Sequence, residues 1–181
     1  TAVCFYFFFK NSKGFQKGIV IFENPIYDYL VLLATILSCT FMGYLQFQYD
    51  IFGADYSLTT IVCALIGFFC AYYFDNKSAL TIGITALAAT IGITVTPKTL
   101  LNNDIYNDTL LSYYGLILGF LLIVWTIYSN RINLKKHFNL AFTTYSLHLL
   151  FICCISGLFF YYWFVFALIF LGVSYYFFKN R

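Results

Sequence analysis

The sequence predicts an all-α fold, a polytopic integral membrane helix bundle with six complete transmembrane helices after a partial N-terminal one. Three observations carry this prediction. Only 9% of the 181 residues are charged, whereas 62% are hydrophobic. A soluble domain has roughly 25% charged residues, so too few are present to cover a water-facing surface. The apolar residues fall into runs near the length of about 20 residues that a membrane-crossing helix needs. The basic residues, placed on alternating sides of those runs, collect almost wholly on one side. No long polar segment is left for a soluble domain, so residues 1–181 read as one transmembrane domain.

The elements follow in order. Ala2 to Phe9 is apolar but too short to span, and Thr1 is not an initiator Met. A signal peptide would carry its basic residues before the apolar run, not after it. This start therefore reads as the tail of a helix in a longer chain. A basic connector with Lys10, Lys13 and Lys17 leads to Pro25 and the first complete span, 26–46. After a short loop with Asp50 and Asp55 comes the second span, 57–74. The turn Asp75-Asn76-Lys77 opens the third, 78–95. Pro97 lacks an N–H and disfavours helix in the residue before it, so this helix is expected to stop near Thr96. A polar loop follows, and Asn107 or Asp108 can cap the fourth span, 109–128.

From Phe138 to Phe178 there are 41 residues (178 − 138 + 1) without Asp, Glu, Lys or Arg. One helix of that length would extend about 60 Å, twice the hydrocarbon thickness of about 30 Å. The run must fold back, between Ser156 and Trp163, giving spans 138–157 and 161–178. Charge supports the cut. With six spans, Lys10, Lys13, Lys17, Lys77, Arg131, Lys135, Lys136, Lys179 and Arg181 share one side, and Lys98 alone lies on the other. The positive-inside rule makes the nine-residue side cytoplasmic.

The third span is compositionally unlike its neighbours. Thr81, Thr85, Ala88, Gly92 and Thr96 follow one face at helical spacing, and Leu80, Ile84, Leu87, Ile91 and Val95 follow another. Small faces let helix backbones approach and bulky ones meet lipid, so the threonine–glycine face is expected to pack inward. Small residues four apart recur as Ala79/Gly83 and Ala88/Gly92, as Gly67/Ala71 in the second span and as Gly115/Gly119 in the fourth. Each is a candidate packing site.

Chemistry-bearing residues are few. His148 lies ten residues past Phe138, about 15 Å along a helix and so near the midplane, where an ionisable group is a functional candidate. Thr144, Thr81 and Thr85 are candidate companions in a polar site; the plainer reading is a neutral imidazole bonded between helices. Lys135, Lys136 and His137 cluster at the cytoplasmic interface, where contact with anionic lipid headgroups is expected. Six cysteines sit almost wholly in apolar runs without a CxxC pair, which reads as buried thiols and neither a disulfide framework nor a zinc site. The sequence lacks HExxH, GxSxG, Walker and GxGxxG motifs. No metal or cofactor is expected, and no nucleic-acid partner.

The string FDNKSALTIGITALAATIGITVTP, with GLILGFLLIV and KKHFNLAFTTYSLHLLFI downstream, resembles a bacterial predicted-membrane-protein family of unknown function, domain of unknown function 2157. The likeness runs from about Tyr44 to Arg181 and weakens toward the N-terminus. It implies a bacterial inner-membrane protein with further helices, and it supplies no catalytic residues. The expected function is a non-enzymatic scaffold or accessory subunit whose partners are membrane lipids and other membrane protein subunits. A small-solute or proton-linked transporter or sensor, using His148 and the Thr81/Thr85 face, is the alternative. An organelle-encoded respiratory accessory subunit is a second.

Overall fold

The computed structural model describes Tyr6, Gly18 and residues 26–53, 56–101, 109–160 and 163–179. Side chains at 94–101, 109–110, 160, 163 and 177 are not among those described. Every regular element in these residues is helical: α1 (Ile26–Tyr49), α2 (Tyr56–Phe74), α3 (Lys77–Leu101), α4 (Thr109–Arg131), a 3-10 turn (Lys136–Phe138), α5 (Asn139–Phe160) and α6 (Trp163–Lys179). Four stretches are long and apolar enough to cross a membrane, Ile26–Tyr49, Tyr56–Phe74, Leu111–Arg131 and Lys136–Phe159. Lys77–Ile93 and Phe164–Tyr176 are shorter apolar helices. Apart from Tyr6, the partial N-terminal helix lies outside the described residues, as does the Asn107/Asp108 cap.

The chain divides into two compact units. The first holds α1, α2, α3 as far as Thr90, and the segment Ser129–Phe138. Val31, Ala34, Thr35 and Ser38 form the buried stripe of α1, at the i, i+3, i+4, i+7 spacing of one helix face. Ala64, Gly67, Cys70, Ala71 and Phe74 form that of α2. The α1–α2 turn is closed by one buried glutamine: Gln46 Nε2 donates to the Gly53 carbonyl at 2.6 Å, and Phe52 N donates to Gln46 Oε1 at 3.0 Å. Between α2 and α3, Gly67 lies against Gly83, and the Thr60 and Thr90 hydroxyls meet at 3.0 Å. Residue numbers rise on one helix as they fall on the other, so this pair is antiparallel.

The second unit holds α3 from Ile91, α4 as far as Tyr128, α5 and α6. Its core is Leu116, Leu150, Cys154 and Phe166, with Ile123, Leu158, Ile169, Phe170 and Val173 packed around it. The charge-free run does fold back. The α5 helix ends at Phe160 and α6 begins at Trp163. Phe166 lies where a Cβ on Gly157 would point, and the Phe151 and Phe170 rings meet edge to face at 5.2 Å. These pairings make α5 and α6 an antiparallel hairpin.

Two expectations about α3 are corrected. The helix does not stop near Thr96 but continues through Pro97 to Leu101. Proline's fixed φ suits a helix, and its missing donor removes one ladder bond without ending the chain's path. The inward face also differs. Ala79, Leu80, Gly83 and Ile84 are buried, whereas Thr85 is exposed and Thr81, Ala88 and Gly92 are only half-buried. The Gly67–Gly83 approach sets which side of α3 meets α2, and it carries Leu80 and Ile84 inward with it.

Candidate functional site

Asp75, Lys135 and His137 form one largely buried cluster in the first unit. Its acid sits in a helix-to-helix turn. Asp75 takes a left-handed conformation (φ 60°) just past the end of α2, and Asn76 N donates back to the Ala71 carbonyl at 3.2 Å. This is the six-to-one bond that closes a helix C-terminus. Asn76 then starts the next helix. Its Oδ1 accepts from Ala79 N at 2.9 Å, the bond of an N-cap, and its Nδ2 donates to the Asp28 carbonyl of α1 at 2.9 Å. Two consecutive residues thus end α2, begin α3 and tie both to α1.

The bases come from the α4–α5 connection. Ser129 Oγ donates to the Leu134 carbonyl at 2.5 Å, and Leu134 N donates to the Ser129 carbonyl at 3.1 Å. Asn133 and Lys135 both take left-handed conformations (φ 55° and 46°), after which the 3-10 turn begins. Because of this reversal Lys135 and His137 point inward. Lys135 Nζ lies 3.0 Å from Asp75 Oδ1, and His137 Nε2 lies 2.7 Å from the same oxygen. Lys135 Nζ also donates to the Gly18 carbonyl at 3.1 Å. The lysine side chain is 0% exposed, the aspartate 2% and the histidine 13%. Phe138 is buried beside them, with its ring edge to face with Tyr72 at 5.6 Å.

Such a cluster braces the fold more readily than it reacts. The carboxylate is held by a cation that is itself sealed from water, and a paired buried charge costs several kcal/mol if its partner is removed. Of the three residues expected at lipid headgroups, Lys136 is exposed, but the charged end of Lys135 is turned inward and His137 is mostly buried. Asp75 is the physical reason, since a buried carboxylate draws the nearest cation. The sequence marks Asp75 only as part of a turn. The available signal was that a charge in so apolar a chain needs a partner, but nothing local identified the lysine of a distant loop.

The expected polar residues are placed differently from one another. Thr81 and Thr85 belong to the first unit, His148 and Thr144 to the second. All three threonine hydroxyls donate within their own helix: Thr81 to Ser78, Thr85 to Thr81 and Ile82, and Thr144 to Leu140. His148 is exposed, and its Nδ1 lies 2.7 Å from the Thr144 carbonyl. A carbonyl only accepts, so Nδ1 carries the hydrogen and Nε2 of the neutral ring is an acceptor. Nε2 has no partner among the described residues. The ring therefore does not make the interhelical bond of the plainer sequence reading.

The packing residues separate by their surroundings. A Cβ on Gly67 would lie 2.7 Å from Gly83 N and 2.8 Å from its Cα, and Ala71 is fully buried. On α4, a Cβ on Gly119 would come within 2.8 Å of Leu150, and one on Gly115 would meet the Cys153 sulfur. Gly92 has no such neighbour among the described residues. Five of the seven expected positions are therefore closely packed, while Gly92 is open and Ala88 is half-buried. Among the described residues no three His, Cys, Asp or Glu side chains gather where they could hold a metal ion. No family model, curated protein or solved structure matches the chain.

Proposed function

We propose that this chain is a multi-pass protein of the bacterial inner membrane that crosses six times and serves as a non-enzymatic accessory or scaffold subunit of a membrane assembly. Four helices of spanning length and two shorter apolar ones support the count. The nine-to-one distribution of basic residues supports cytoplasmic basic loops. The resemblance of the Asp75–Pro97 region supports the bacterial location.

The observation that carries the subunit reading is His148. It stands midway along α5 on an outward face that also carries Leu140, Thr144, Ile152 and Phe159. An imidazole acceptor facing hydrocarbon loses its hydrogen bonding, and a neighbouring transmembrane helix with a donor would restore it. The large outward apolar side chains of α1, α4 and α6 fit a protein surrounded by lipid and by other membrane proteins. Native co-purification tests this reading. The intact protein, extracted in mild detergent, should carry a defined membrane protein partner. His148→Leu should lose much of that partner and His148→Gln should keep it. Equal recovery of the same partner with all three would remove His148 from the interface.

A further inference from the structure

Near the middle of the α1–α2 hairpin, two thiols face each other. Cys39 Sγ lies 3.9 Å from the Cys63 carbonyl oxygen, and Cys63 Sγ lies 3.8 Å from the Cys39 carbonyl oxygen. For each sulfur to reach the other's backbone, the helices must meet with cysteine opposite cysteine. A disulfide needs Cα atoms about 4.4–6.8 Å apart with their Cβ atoms directed together, and reciprocal contacts of this kind arise from such an approach.

The other described cysteines are placed differently. Cys70 is fully buried. Cys153 packs over Gly115, and Cys154 belongs to the core of the second unit. As neighbours on one helix, those two side chains diverge. Cys39 and Cys63 are both half-buried, so a reagent dissolved in the bilayer can reach them.

We propose that Cys39 and Cys63 are a redox-active dithiol that closes to a disulfide joining α1 to α2. Both S–H bonds break and one S–S bond forms. The two electrons and two protons pass to a quinone-class acceptor in the bilayer, which leaves as the quinol. A thiol reductant reverses the step. Closure fixes covalently the point at which α1 crosses α2.

The test uses the intact protein in its own membranes, oxidised with a tetramethyl quinone or with copper phenanthroline, then denatured, labelled with N-ethylmaleimide and digested. The expected result is loss of label at Cys39 and Cys63, with their two peptides recovered as one species lighter by two hydrogens. Cys70, Cys153 and Cys154 should stay labelled. Dithiothreitol should restore both labels, and Cys63→Ser should leave Cys39 labelled throughout. Persistent labelling of Cys39 and Cys63 after both oxidants, or linkage of either one to a different cysteine, would overturn the proposal.

Discussion

Asp75 and Lys135 meet through backbone geometry more than through side-chain reach. Each occupies a left-handed position that turns its side chain inward. A buried ion pair is costly to break because the surviving charge stays where water cannot reach it. Lys135→Met should therefore lower stability by about 3–5 kcal/mol, because the Asp75 carboxylate stays buried without the ammonium that pairs it. Asp75→Leu combined with Lys135→Met should recover most of that loss, because an apolar pair of similar volume carries no desolvation cost. Thermal unfolding in detergent across the four-protein cycle would read this coupling; losses that simply add would contradict it. The pair was illegible in the sequence for a specific reason. Periodicity and charge alternation place Asp75 and Lys135 at the same membrane surface, yet neither reports a positive φ, and the lysine had an equally good partner in a lipid headgroup.

Among the elements, glycine distinguishes helix faces that hydropathy does not. A Cβ on Gly67 would meet backbone atoms of α3, which cannot rotate away, whereas one on Gly92 meets nothing within 4 Å among the described residues. Gly67→Ala should therefore cost about 1–3 kcal/mol by forcing α2 and α3 apart. Gly92→Ala should be neutral or slightly stabilising, since glycine is the weaker helix former. Chemical denaturation of the two variants would separate them; equal effects would refute the close approach. Small-residue spacing in the sequence includes Gly67 of α2 and Gly115 and Gly119 of α4, where an added Cβ would meet a neighbouring helix. On α3 it holds for Ala79 and Gly83 but not for the threonine face, because threonine is small but need not face inward. Its hydroxyl can bond a carbonyl one turn back on its own helix, as Thr85 does, and it then tolerates an apolar exterior. Pro97 was likewise overweighted, since one missing donor need not end a helix.

Across the whole molecule, the most legible features were those set by bilayer thickness. The fold-back between α5 and α6 follows from length alone: 41 charge-free residues cannot span once. The helical class follows from the same constraint, because hydrocarbon offers no partner to an open backbone. Function was far less legible. His148 stood out because it is ionisable and deep, but a helical pattern cannot tell an inward imidazole from an outward one. Its exposed position on α5 turns the question from what passes through the bundle to what lies against it. Site-specific photocrosslinking asks this most directly. With a photoreactive residue in place of Ile152, one turn from His148 on the same face, irradiation of intact membranes should give a discrete adduct with another membrane protein, and His148→Leu should weaken that adduct. Capture of lipid alone would contradict the account.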